Sequence, residues 1–198
     1  LRHDLEQETP IRAQPLAEEE QRLIAGYRFL SQRPILILLN IGEEDLPRAA
    51  AIEDEHRASI TTPQTDVAAF CGKLEMDLLA LDEREAQEYR AELGLGEETG
   101  LDRAIRLSYH LMGLISFLTA GEDECRAWTV REGATAPQAA GKIHTDLERG
   151  FIRAEVVRYE DLVAAGSMAE AKKRGLVRME GKSYTVKDGD VLNILFNV

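Results

Sequence analysis

The chain has 198 residues, of which 44% are hydrophobic and 30% charged, and its formal net charge is −12. That length suits one larger domain plus one small one with a sizeable core, and the negative balance argues against a surface that coats nucleic acid generally. The acidity is uneven: residues 1–114 hold 12 Lys/Arg against 23 Asp/Glu, whereas 115–198 hold 12 against 13, so an anionic partner is expected at the second part.

Residues 16–30 place Leu16, Leu23, Ile24, Tyr27 and Leu30 on one face at helical spacing, with acids in the first turn, which predicts an amphipathic helix. Pro34 blocks its continuation. ILILL at 35–39 then reads as a short parallel strand buried on both faces. A helical stretch at 46–58, a second buried strand DVAAF at 66–70, and helix from 74 to 93 with Asp82 as an internal cap complete a βαβ pattern. Gly94, Gly96 and Gly100 mark a loop before a helix over 101–113.

From about 115 the pattern changes to short strands: ISFLTA, CRAWTV, FIRAEVVRY, a short YTV and the final VLNILFNV. Helical stretches are expected at APQAAGKIHTDL and at MAEAKKR, residues 168–174. Two strands, a helix and further strands suggest a small mixed sheet crossed by one helix, the β-grasp plan. The Asp188-Gly189 turn feeds a last strand expected to lie centrally.

Ligands of open α/β sheets sit beyond the carboxyl ends of the strands, where Asn40, Ile41, Gly42 and Glu43 follow the first strand. An Asn amide offers a donor and an acceptor to a base edge, and a carboxylate three residues on accepts from N–H groups. The bland alternative is a turn whose acids cap the next helix. Cys71, Gly72 and Lys73 hold the matching place after the second strand, where Gly72 permits close main-chain approach. Lys172, Lys173, Arg174, Arg178 and Lys182 could touch phosphates or form a solvated face. Cys71 and Cys125 form no CxxC pair, and His3, His56, His110 and His144 no HxxxH, so no metal site is expected. No run nears the roughly 20 apolar residues of a membrane helix. No membrane partner and a reducing cytoplasm are the expectation.

The stretches GATAPQAAGKIHTDLERGFIRAEVV at 133–157 and EGKSYTVKDGDVLNILFNV at 180–198 closely resemble the TGS domain of the YchF or Obg-like ATPase family. The resemblance runs back through AWTV, SFLTAG, ELGL and LALDERE to PILILLNIGEED. It implies an α/β and α+β chain: the incomplete C-terminal part of a P-loop NTPase-like domain with the end of a helical insertion at 1–114, then a β-grasp TGS domain at 115–198. It also implies an NxxE base motif at Asn40 to Glu43, preference for ATP over GTP, a base-contacting loop at Cys71 to Lys73, and ribosome or RNA association through the TGS domain. The family's phosphate loop and magnesium motif are not in the sequence, and the chain opens on Leu1. The expectation is therefore a piece of a longer ATPase, with Mg in the full-length protein, inactive alone and binding no cofactor tightly. The alternative is a non-catalytic regulatory module that binds a protein or small ligand.

Overall fold

A computed structural model describes residues 1–121 and 124–197. The chain divides into two compact units, Leu1–Met112 and Gly113–Val198.

In the first unit, α1 (Arg2–Glu6) and a 3₁₀ turn at Ile11–Ala13 precede α2 (Glu18–Ala25). The expected helix over 16–30 is thus shorter. Gly26 caps α2, and Arg28 turns the chain at a φ of 53°. Of the predicted apolar face, Ile24 is buried, while Leu23, Tyr27 and Leu30 are exposed. Tyr27 instead stacks on Phe29, with ring centroids 5.3 Å apart.

Strands β1 (Ile35–Asn40) and β2 (Thr65–Phe70) pair in parallel, in register from Ile35↔Thr65 to Asn40↔Phe70. Helix α3 (Ala49–Ser59), entered through a 3₁₀ segment at Glu43–Arg48, connects them as a crossover. The strand β2 is buried at Val67, Ala68 and Ala69. Burial of ILILL on both faces is not found: Ile35, Ile37 and Leu38 are 39 to 45% exposed, because β1 lacks the close α3 packing that covers β2.

The stretch expected as helix from 74 to 93 is two helices, α4 (Gly72–Leu78) and α5 (Glu83–Glu92). Asp82 starts the second: its carboxylate accepts the Glu85 N–H at 2.9 Å, and the Glu85 carboxylate accepts the Asp82 N–H at 3.3 Å. Helix α6 (Gly100–Leu111) is capped by Thr99, whose hydroxyl accepts from the Asp102 N–H, and it packs on β1 and β2.

The second unit holds β3 (Leu114–Ala120), β4 (Cys125–Arg131), α7 (Ala136–Ile143), α8 (Thr145–Arg149) and β5 (Phe151–Arg158). Next come α9 (Tyr159–Ala165), α10 (Met168–Lys173), β6 (Arg178–Glu180) and β7 (Asp190–Phe196). Its sheet has the order β4-β3-β7-β5-β6. The last strand is central as expected, parallel to β3 and antiparallel to β5, and Gly189 enters it at a φ of 76°. Val198 lies outside the described residues.

Phe117, Val130, Phe151, Val156 and Leu192 pack with Ala136, Ala139 and Ala140 of α7. The small alanine face lets the helix lie close to the sheet. A second cluster joins Val157 and Val191 to Ala171, with Leu162 and Met168 against it. The expected YTV strand is a single bridge, Thr135↔Thr185, and the edge strand is Arg178–Glu180 instead. Helix α9 has no counterpart among the predicted elements; it ends where Gly166 adopts a left-handed φ of 79°. Among the described residues, no helix is long and apolar enough to cross a membrane.

Candidate nucleotide-base site

The parallel register brings the carboxyl ends of β1 and β2 level, so the loops after Asn40 and Phe70 face each other. They are tied by two side-chain contacts. The Asn40 Oδ1 accepts the Gly72 N–H at 3.0 Å, and Lys73 Nζ donates to Glu43 Oε1 at 3.0 Å. In addition, the Ile41 N–H donates to the Phe70 carbonyl at 3.0 Å, extending the ladder one residue past the sheet. A cleft of about 340 Å³ results, lined by Asn40, Ile41, Gly42, Glu43, Glu44, Cys71 and Lys73. The structure therefore brings Asn40, Ile41, Glu43, Cys71 and Lys73 to one cleft, with Gly72 bonded to its rim.

Because Oδ1 of Asn40 is engaged by a main-chain N–H, its Nδ2 is left as the donor available to a ligand. A Cβ at Gly72 would stand 3.2 Å from Asn40 Oδ1, so glycine is what allows this close approach. Glu43 and Lys73 are 40% and 78% exposed, and the hydrogen bond to Glu43, then its charge and that of Asp77, hold the Lys73 ammonium above the usual lysine range. Such a pair adds little to stability in water; it offers a carboxylate acceptor and an ammonium donor side by side. Cys71, 4% exposed, packs with Leu74 and Leu78 beneath the cleft.

The chemistry behind the cleft escaped the sequence reading. Glu53 of α3, 4% exposed, accepts the Ala69 N–H at 2.7 Å and pairs with both terminal nitrogens of Arg103 at 2.7 Å. Burial pushes its carboxyl up, but the hydrogen bonds from Arg103 and Ala69 and the charges of Arg103 and Arg57 outweigh it and hold Glu53 below the usual range. This clip fixes the end of β2 between α3 and α6. Arg90, also buried, donates to the Gly96 carbonyl at 3.0 Å beside Glu75, which accepts the Gly100 N–H at 2.8 Å. A pairing across 50 residues leaves no local sequence signal, whereas Glu44, the cleft residue missed beside Glu43, was adjacent to the motif.

The cationic cluster is differently placed, in the second unit. Lys172 pairs with Glu155 at 2.7 Å, Lys173 and Arg174 both reach Glu170, and Arg178 pairs with Glu180 and lies over the Tyr184 ring. Lys182 is exposed. Among the described residues, no group of three or more His, Cys, Asp or Glu is arranged to hold a metal ion.

Residues 114–197 match the family model YchF-GTPase_C, described as a protein of unknown function, DUF933. A Bacillus subtilis protein named ribosome-binding ATPase YchF is 44% identical over 200 residues, covering 100% of this chain and 54% of the relative. The chain belongs to the YchF or Obg-like ATPase family. The Caenorhabditis elegans protein named Obg-like ATPase 1 is 38% identical over 201 residues, covering 98% of this chain and 49% of its own. The solved structure of the Schizosaccharomyces pombe YchF GTPase superposes with a TM-score of 0.73 at 31% identity, over 96% of this chain and 50% of the other. The chain spans about half the length of the curated relatives it matches.

Proposed function

We propose that the first unit carries the base-reading half of an ATPase site and that the second is a β-grasp TGS module engaging the ribosome or its RNA. The observation that carries the first part is the pinned Asn40: with Oδ1 held by Gly72, Nδ2 is aimed as a donor, a complement to a purine ring nitrogen. The Glu43 carboxylate accepts an exocyclic amine such as that of adenine. Guanine carries a carbonyl oxygen there, which a carboxylate repels, so ATP is favoured over GTP. The residues of the cleft fit a base and ribose. When bound, ATP with Mg²⁺ supplies the phosphoryl group that a full-length relative hydrolyses, and this chain's part is to hold and orient the base.

The names of the relatives support nucleotide and ribosome association for the longer proteins. The sheet order β4-β3-β7-β5-β6 with α7 across one face supports the β-grasp reading. In this reading the protein is cytoplasmic. A test joins the chain to the phosphate-loop half of a family member and measures hydrolysis. ATP turnover above GTP turnover, reduced by Asn40→Ala, is expected; GTP preference removes the assignment of Glu43.

A second reading is a regulatory module that binds a protein or small ligand. It is favoured at the cationic cluster, because Lys172, Lys173, Arg174 and Arg178 are already paired with carboxylates of their own unit. Ribosome co-sedimentation separates the two: loss of association on charge reversal of Lys172 and Lys173 supports ribosome contact there, and indifference supports the second reading.

A further inference from the structure

The first unit holds a second cavity, of about 150 Å³, walled by the end of β2, α4, α5, the 95–100 segment and the start of α6. Of its lining residues only Cys71 is shared with the base cleft. Leu46, Phe70, Leu74 and Leu95 supply apolar surface, and Glu75 and Arg90 an ion pair. Arg90 is 8% exposed; its Nε donates to the Gly96 carbonyl at 3.0 Å and its Nη2 to that of Glu98. Its Nη1 is buried and, among the described residues, meets no hydrogen-bond acceptor. Glu75 Oε1 stands 3.5 Å from that nitrogen but accepts instead from the Gly100 N–H at 2.8 Å.

The other charged residues of the lining are neutralised by residues outside it. Glu98 accepts from Arg106 at 2.7 and 2.9 Å, and Arg103 pairs with Glu53 at 2.7 Å. A ligand therefore meets one guanidinium donor beside one carboxylate, a pair with no net charge. That pair suits a neutral group able to accept from the first and donate to the second, which a hydroxyl does with a single oxygen. An anion would meet the Glu75 carboxylate, and a cation the Arg90 guanidinium. An apolar cavity of about this volume accepts one benzene ring. We propose that this cavity binds a neutral phenol group. Its ring lies against Leu46, Phe70, Leu74 and Leu95, and its hydroxyl accepts from Arg90 Nη1 and donates to Glu75. Free one-ring phenols and tyrosine side chains both carry this group.

The experiment titrates the ¹⁵N-labelled 198-residue chain with phenol, benzene, benzoate and N-acetyltyrosinamide. Phenol should give saturable shifts at the amides of Leu74, Leu95 and Gly100. Benzene, which lacks the hydroxyl, should bind about tenfold more weakly, and benzoate should be excluded. Binding of phenol without N-acetyltyrosinamide identifies a free small molecule as the ligand, and binding of both admits a tyrosine side chain. Ala49→Leu, at a half-buried lining position, fills part of the cavity and should abolish the phenol shifts. Glu75→Gln keeps an acceptor for the Gly100 N–H but removes the carboxylate charge, so benzoate should now bind beside Arg90. Amide spectra of each variant without ligand establish that it is folded. The proposal is overturned if phenol leaves the lining amides unmoved or shifts those of Ile41 and Gly42 instead. It is equally overturned if folded Ala49→Leu binds phenol as the parent does, or if benzene binds as well as phenol, which would mean that Arg90 Nη1 is met by water only.

Discussion

Asn40 and Gly72 work as one unit, since the amide of the first is oriented by the N–H of the second. Asn40→Ala removes that bond across an exposed loop pair, so stability should fall by only about 1 kcal/mol while the loops separate; amide shifts at Ile41 and Lys73 would report it. Glu53 is the opposite case, important to stability and distant from ligand chemistry. Glu53→Gln leaves Arg103 without its charged partner beside a buried strand end and should cost about 2 to 4 kcal/mol in urea unfolding. Its pH dependence follows. The folded carboxyl is depressed below its ordinary 4.5, so the unfolded chain binds the proton more readily. Glu53 thus stabilises fully above the unfolded value and loses that contribution as pH falls through the folded one. Glu155, lowered first by the hydrogen bond from Lys172 and then by that from Asn193, adds in the same direction. Unfolding midpoints of the parent should drop below about pH 4.5, and those of Glu53→Gln should drop less.

At the scale of elements, the sequence told strand from helix well and burial poorly. ILILL and DVAAF both carry the apolar run of a buried parallel strand. Both strands have one strand neighbour and α6 against them, but α3 packs closely on β2 alone, and an apolar run cannot state which helices will cover it. The contrast is measurable. Val67→Ala, at a fully buried position, should cost about 1 to 3 kcal/mol. Leu38→Lys, at a position 45% exposed, should leave the unfolding midpoint nearly unchanged and lower both dye binding and concentration-dependent association. The break before α5 was legible in Asp82 because its capping box is local. The early end of α2 was not, since Leu23, Tyr27 and Leu30 keep helical spacing without a surface to meet.

At the scale of the molecule, each unit has its own hydrophobic clusters: Cys71, Leu74 and Leu78 in the first, and the Phe117 and Val191 clusters in the second. Residues 113–198 expressed alone should therefore give a dispersed amide spectrum and a cooperative melt, whereas a collapsed spectrum would make the second unit dependent on the first. The cleft itself was legible because both of its loops follow apolar strands, the first carrying Asn40, Gly42 and Glu43 and the second Gly72 and Lys73. The Glu53–Arg103 support was not, because it joins residues 50 apart in sequence, and the Arg90 support was not, because its acceptors are the main-chain carbonyls of Gly96 and Glu98, which no side-chain pattern marks. The most direct measurement of the proposed base-reading role of this cleft is a titration of the labelled chain with adenosine and with guanosine, nucleosides that need no phosphate site. Adenosine should shift the amides of Ile41, Gly42, Gly72 and Lys73 more strongly than guanosine, and Asn40→Ala should remove the effect. Unmoved amides, or a stronger response to guanosine, would contradict it.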